Sequence, residues 1–157
     1  MRTDRATLDQ LFEGAPRFVD RLMEFDPPPD AWDDLFYQAE WTALTMPEDE
    51  QIELLNAHPR IGAAPATVSA LSYREQGYDR DSGTAELQAR LDKLNDAYEH
   101  RFGFRFVVFV NGRSRAEIAD VIEAHLDEDR VTEKGCGLRD VIAIARARLA
   151  KLPPISE

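Results

Sequence analysis

Two short motifs carry residue types that could act on a small polar substrate. The first is the run 58–62, His-Pro-Arg-Ile-Gly, and the second places Ser72, Glu75 and Gln76 at spacings of i, i+3 and i+4. Side chains three and four residues apart share one face of an α-helix, so a hydroxyl, a carboxylate and an amide would lie side by side. An imidazole can move protons near neutral pH. The two motifs therefore indicate a small polar site built on a helix.

The position of His58 follows from the proline after it. Pro59 disfavours the α conformation of the preceding residue, so the helix that begins near Pro47 should stop at about Ala57, and Gly62 lets the chain turn. At a helix C-terminus the dipole favours the imidazolium by up to about 2 kcal/mol when the ring is partly buried. Taken alone, such a histidine is more often a capping residue, and the second motif is more often a solvated helical face.

Composition limits the class of protein and of partner. The chain has 157 residues, and residues 1–157 are predicted to form one domain. A formal net charge of −11 argues against nucleic acid and anionic membrane as partners, and an anionic substrate requires arginines that locally reverse the field. The single cysteine, the absence of an apolar leader and the absence of a long apolar run predict a cytoplasmic protein that needs no disulfide.

The hydrophobic residues recur with a period near 3.6 along most of the chain. This predicts an all-α, single-domain bundle of about eight helices. The predicted helices run from Thr3 to about Glu13, from Pro16 to about Phe25, from an Asp30 cap to Leu44, from Pro47 toward His58, around residues 72–76, from Ser82-Gly83 to Phe102, from the Ser114 capping box to Leu126, and through Leu138 to Leu152. The helix after Ser82-Gly83 is predicted to be the longest, with an apolar stripe of Leu87, Leu91, Leu94, Tyr98 and Phe102.

One segment breaks the helical period. Residues 102–110 are rich in aromatic and β-branched side chains and end at Asn111-Gly112, so the chain near 104–110 should be extended and buried. A lone extended segment in a helical protein has no sheet to bind its main-chain N–H and C=O groups. These groups could be offered to a ligand.

Four ordered motifs together resemble a known family. They are 58–62, Ser72-x-x-Glu75-Gln76-x-Gly77, Leu94-Asn95-x-x-Tyr98-x-x-x-Phe102-Gly103-Phe104-Arg105-Phe106-Val107-Val108, and Gly112-Arg113-Ser114. Over about residues 45–150 the chain is similar to the 2-oxo-4-hydroxy-4-carboxy-5-ureidoimidazoline (OHCU) decarboxylases of urate breakdown. The resemblance implies an all-α domain, usually a homodimer, that converts OHCU to (S)-allantoin and CO2 without metal or organic cofactor.

The resemblance also implies roles for individual residues. His58 would be the acid/base group, and Glu75 would either orient and charge His58 or hold the substrate's ring nitrogen and hydroxyl. The remaining members would bind substrate: Pro59 beside the histidine, Ser72 and Gln76 through side chains, and Phe106 and Val108 through the main chain. An arginine should grip the ureido or carboxylate oxygens with its planar fork.

The chain departs from the family at the position of that arginine. The family's last helix tends to present an arginine between two leucines, whereas this chain has Ala147-Arg148-Leu149. On a helical wheel Arg148 lies about 70° from the centre of the apolar stripe and Arg146 about 90° on the opposite side, which favours Arg148 narrowly. Arg105 also occupies a position that is often proline in relatives. No His or Cys spacing indicates a metal site.

Two other functions fit parts of the pattern. A non-catalytic helical interaction module would use the charge for solubility and the 104–110 segment for packing a partner. A lyase or hydrolase of another ureide would use the same His58 and Glu75 on a different ring.

Overall fold

The computed structural model describes residues 3–25, 31–62 and 85–152. Within these ranges the chain forms seven α-helices and no β-strand, which confirms the predicted all-α class. The helices are α1 (Arg5–Leu11), α2 (Pro16–Met23), α3 (Trp32–Thr45), α4 (Glu48–Asn56), α5 (Ala85–Phe102), α6 (Arg115–His125) and α7 (Arg130–Lys151). The helix predicted around residues 72–76 lies outside the described residues.

Local sequence signals begin several helices where they were predicted to begin. The Asp4 carboxylate accepts a hydrogen bond from the N–H of Thr7 (2.9 Å) at the start of α1, and Pro16 occupies the first turn of α2. Ser114 Oγ accepts from the N–H of Glu117 (3.1 Å), as the capping box predicts. These short bonds satisfy N–H groups that a helix leaves without an internal partner.

One prediction about the helices is wrong, and another falls on a residue outside the described ranges. The N-cap position of α3 is Ala31, which makes no side-chain capping bond, and the predicted cap Asp30 lies outside the described residues. Among the described helices the longest is α7, with 22 residues, and not α5, with 18. The first turn of α7 forms because the Asp129 carboxylate accepts from the N–H of Thr132 (2.8 Å), a polar capping signal that an apolar stripe does not reveal.

Contacts divide the chain into two compact units. The first unit contains Met1–Ala57 and Leu138–Glu157, and therefore α1 to α4 with most of α7. In this unit α2 packs against α1, α3 and α4, and the rings of Phe12 and Phe18 meet edge-on at 5.0 Å. Its buried core includes Leu8, Leu11, Val19, Leu22, Leu35, Leu54, Leu55, Val141 and Ala145.

The second unit contains His58–Gly137, in which α5 packs against α6. The ring of Tyr98 on α5 lies 4.6 Å from that of Phe102, 6.0 Å from that of Phe104 and 5.1 Å from that of Phe106. Residues 105–110 are neither helix nor strand and are mostly buried. The prediction of a buried, non-helical segment is confirmed, because its aromatic side chains fill the core of this unit.

Candidate functional site

His58 follows directly after α4, as the His-Pro pair predicts. The helix ends at Asn56, and the N–H of Ala57 still donates to the carbonyl of Glu53 (3.0 Å). His58 itself is outside the helix and only 8% exposed. The imidazole is therefore largely shielded from solvent at the end of α4.

Amide side chains of α5 hold the main chain that follows His58, here called the 58–62 loop. Asn95 Nδ2 donates to the carbonyl of Ile61 (3.0 Å), and Gln88 Nε2 donates to that of Gly62 (2.9 Å). Gly62 has φ +85°, and a Cβ there would come within 3.1 Å of a leucine side chain of α5. Glycine is therefore required for both the turn and the close approach to the helix.

Two arginines add further contacts to the 58–62 loop. The Arg60 guanidinium forms ion pairs with Asp96 (Nη2–Oδ1 2.7 Å) and Glu99 (Nε–Oε2 2.6 Å) on α5. From the non-helical segment, Arg105 Nη1 donates to the carbonyl of His58 (3.3 Å). The loop is thus fixed to α5 and to the segment by side chains.

In the non-helical segment, residues 105–110, main-chain hydrogen bonding to described residues differs between the middle and the end. Arg113 donates to the carbonyls of Phe109 (Nη2, 2.7 Å) and Val110 (Nε, 3.1 Å). By contrast, no hydrogen bond joins the main chain of Phe106 or Val108 to another described residue, although both residues are buried. Buried main-chain groups normally have partners. Main-chain groups that no described residue binds would be available to the predicted ligand, whose binding stays a prediction.

The two candidate arginines of α7 have opposite environments. Arg148 is 1% exposed, its Nη1 donates to the carbonyl of Leu11 (3.1 Å), and its Nη2 lies 3.6 Å from Glu13 Oε1. The side chain of Arg146 is 51% exposed and covers the ring of Phe36 at 4.6 Å. The helical phase that favoured Arg148 is confirmed by this difference in burial. Its role toward a substrate stays a prediction.

The predicted site residues are distributed as follows: His58, Pro59, Phe106 and Val108 belong to the second unit, Arg148 belongs to the first, and Ser72, Glu75 and Gln76 lie outside the described residues. Within the second unit, the hydrogen bond from Arg105 to the carbonyl of His58 links His58 to the non-helical segment 105–110. The polar helical face predicted for 72–76 stays a prediction.

A buried carboxylate in the second unit was missed by sequence reasoning. Glu133 accepts a hydrogen bond from the hydroxyl of Tyr98 (2.6 Å), and its other oxygen lies 2.6 Å from His125 Nδ1. Burial, and then the bond to Glu133, raise the pKa of Tyr98 far above its usual range, so its hydroxyl keeps its proton and donates. The ring of Phe106 meets those of Tyr98 and His125 edge-on. Glu133 is 35 residues from Tyr98 in sequence, and no helical period links them.

This network yields a prediction about stability. Tyr98→Phe removes a hydrogen bond to a charged, buried acceptor and should lower the free energy of unfolding by about 1.5–3 kcal/mol. Urea denaturation followed by circular dichroism measures the change. Tyr37→Phe is the matched control, because the Tyr37 side chain on α3 is exposed and the change should stay within about 0.5 kcal/mol. Equal stability of both variants would show that the bond to Glu133 contributes nothing.

Metal-ligand groups and long apolar helices would mark two other kinds of site among the described residues. Within residues 3–25, 31–62 and 85–152, no group of three or more His, Cys, Asp or Glu side chains is arranged to hold a metal ion. None of the seven helices is both long and apolar enough to cross a membrane.

Comparison with known proteins gives one consistent family. The sequence model described as OHCU decarboxylase matches residues 2–150. The uric acid degradation bifunctional protein PucL of Bacillus subtilis is 30% identical over 150 residues, which are 93% of this chain and 29% of the relative. The OHCU decarboxylase of Haloferax volcanii is 32% identical over 103 residues, which are 66% of this chain and 61% of the relative. The chain thus spans less than two thirds of the length of either relative.

A solved structure has a similar fold. The crystal structure of OHCU decarboxylase in the presence of (S)-allantoin superposes with a TM-score of 0.74 at 20% sequence identity. The match covers 92% of this chain and 96% of that one. At this level of identity the likeness concerns the fold alone.

Proposed function

Because this chain belongs to the OHCU decarboxylase family, we propose that it removes CO2 from 2-oxo-4-hydroxy-4-carboxy-5-ureidoimidazoline to give (S)-allantoin in urate degradation. The observation that carries the proposal is the family match over residues 2–150, which runs through both compact units. The same match supports one functional domain over residues 1–157.

The chemistry requires little from the protein beyond orientation and one proton. When the bond between the ring carbon and the carboxylate breaks, its electron pair delocalises into the adjoining imidazoline system and CO2 leaves. The substrate ring is itself the electron sink, so the proposal includes no pyridoxal, thiamine or metal. The carbanion then takes a proton on one face, and the protein must hold the ring so that only this face meets the donor.

In the proposed site, His58 exchanges the proton and Glu75 either orients and charges His58 or holds the ring nitrogen and hydroxyl. Burial of His58 supports its role, since a buried imidazole is shielded from bulk water and can be held in one orientation. Ser72 and Gln76 hydrogen-bond the polar edge of the substrate, and Pro59 forms part of the pocket beside His58.

The remaining proposed contacts come from main-chain groups and an arginine. Phe106 and Val108 offer N–H and C=O groups that no described residue binds. The Arg148 guanidinium donates hydrogen bonds to the ureido or carboxylate oxygens of the substrate. With a net charge of −11, the chain needs a positioned cation wherever an anionic substrate binds.

Product stereochemistry gives the sharpest test of the function. The substrate decays unaided to allantoin, and protonation of a planar carbanion from either side in solution gives a racemate. A chiral pocket with one proton donor gives one enantiomer. When the substrate is generated from urate by urate oxidase and hydroxyisourate hydrolase, circular dichroism should show dextrorotatory (S)-allantoin accumulating only with this protein present.

Controls separate the proposal from its rivals. EDTA should not change the rate, since the proposed mechanism uses no metal. A racemic product at stoichiometric protein would contradict decarboxylation and favour the interaction module. Thermal stabilisation by other ureides but not by allantoin would favour a different ureide substrate, because a ligand at 100 times its Kd adds about 2.7 kcal/mol of stability.

Assembly and location are further parts of the proposal. A homodimer is supported by the resemblance to a family that is usually dimeric. The exposed aromatic side chain of Trp41 on α3 offers apolar surface for such a contact. A cytoplasmic location is supported by the single cysteine, since proteins of oxidising compartments commonly use paired cysteines.

A further inference from the structure

We infer that Asn95 is a positioning residue for His58, which it holds through the main chain of the 58–62 loop. The inference rests on the proposed function, because it assigns Asn95 a purpose in the reaction. Asn95 belongs to the Leu94-Asn95-x-x-Tyr98 motif, for which the proposed chemistry has no other use.

The environment of Asn95 is unusual for an amide. Asn95 is 1% exposed and occupies the buried face of α5 together with Leu91, Tyr98 and Phe102, where the sequence predicted Leu94 instead. Its Oδ1 is buried, and no residue in the described ranges hydrogen-bonds it. An orphaned acceptor in an apolar interior lowers stability. Packing alone therefore does not account for an asparagine at this position.

The Nδ2 group explains what the amide does. It donates to the carbonyl of Leu91 in the preceding turn (2.9 Å) and to the carbonyl of Ile61 (3.0 Å). Two carbonyl acceptors on the same side fix the orientation of the amide, because exchange of its N and O would place Oδ1 against both carbonyl oxygens. The bond to Leu91 aims the remaining N–H at the loop.

The loop transmits this constraint to His58. Ile61 is three residues after His58, and Pro59 between them has a restricted φ. Gln88 fixes the next carbonyl, that of Gly62. The chain between the imidazole and its anchor is therefore short and stiff, so that loss of the anchor should shift the ring. A proton donor misplaced by about 1 Å can lose about 10²-fold in rate.

The test is Asn95→Leu, which keeps a side chain of similar size on an apolar helical face. We expect kcat to fall about 10- to 100-fold while KM changes less than about twofold, because contacts to the substrate remain and only the proton donor moves. The enantiomeric excess of (S)-allantoin should also fall. The chemical shifts of the His58 ring, followed by NMR, should change.

A matched control separates positioning from stability. Buried Gln51 in the first unit makes the same kind of bond, from Nε2 to the carbonyl of Ala43 (2.9 Å). Gln51→Leu should lower Tm without lowering kcat or the enantiomeric excess. If Asn95→Leu does not fold, Gln88→Ala replaces it, since Gln88 is only part-buried and anchors the same loop. For Gln88→Ala we expect the same pattern in kcat, KM and enantiomeric excess, but a smaller fall in kcat.

The possible results distinguish failure of the positioning role from failure of the proposed function. An unchanged kcat, an effect on KM alone, or equal losses of kcat in the Asn95 and Gln51 variants would overturn the positioning role. Racemic product from the wild-type protein would instead overturn the proposed function. Stereospecific wild-type protein with an unaffected Asn95→Leu variant removes only the present inference.

Discussion

Replacing His58 with asparagine is expected to lower kcat for decarboxylation by about 10²- to 10⁴-fold, the usual contribution of a general acid or base. Asparagine keeps a polar group in the buried position after α4 but cannot exchange a proton near neutral pH. The helical fold should remain, because α4 ends before His58 and does not need the imidazole. The rate of formation of (S)-allantoin by circular dichroism and the Tm by thermal unfolding measure the two quantities.

His100→Asn is the matched control for this variant. His100 is an exposed histidine in the last turn of α5 and has no proposed part in the reaction. Its replacement should leave kcat unchanged. A His58→Asn protein that keeps more than half of the wild-type kcat would show that another group moves the proton.

Removal of the buried arginine should have the second largest effect. Arg148→Ala is expected to lower kcat/KM by about 30- to 1,000-fold, which corresponds to about 2–4 kcal/mol for a buried, charge-assisted contact. It should also reduce stability, because the carbonyl of Leu11 loses its donor and Glu13 loses a nearby cation. Steady-state kinetics and urea denaturation on the same preparation separate the two losses.

Arg146→Ala provides the comparison, since Arg146 is exposed on the same helix. It should change kcat/KM little. Arg148→Lys keeps the charge but loses the planar fork, and should recover only part of the activity. If Arg148→Ala is less stable yet has normal kcat/KM when folded, then Arg148 is a structural arginine of the first unit.

Much of the fold follows from local sequence signals. The 3.6-residue period of apolar side chains identified the helices, and the Ser114 capping box correctly placed the start of α6. The end of α4 before Pro59 follows from a steric rule. These features depend only on residues that are close in sequence, so they can be predicted from one sequence. The length of α7 was missed because its first turn is polar and begins at a cap rather than at an apolar stripe.

The site was less accessible to such reasoning. The position of His58 after α4 followed from the His-Pro pair, and the burial of Arg148 relative to Arg146 followed from helical phase. Two long-range polar contacts near the site were missed: Asn95 bonds the carbonyl of Ile61, 34 residues away, and Glu133 accepts from the hydroxyl of Tyr98, 35 residues away. Polar contacts of this kind depend on tertiary packing, and no periodic pattern marks them. A buried position occupied by asparagine in place of leucine is the one sequence signal that could have pointed to the loop anchor.

The closure of the first unit by α7 has a consequence for synthesis on the ribosome. Arg148 bonds the carbonyl of Leu11 across 137 residues, and Val141 and Ala145 of the same helix lie in the buried core of that unit. Translation at about 5–20 residues per second takes roughly 7–27 s to cover that distance. For this interval the nascent chain exposes apolar faces of α1 to α4 that α7 later covers. Newly made N-terminal segments should therefore depend on chaperones or fast emergence of the last helix to escape aggregation.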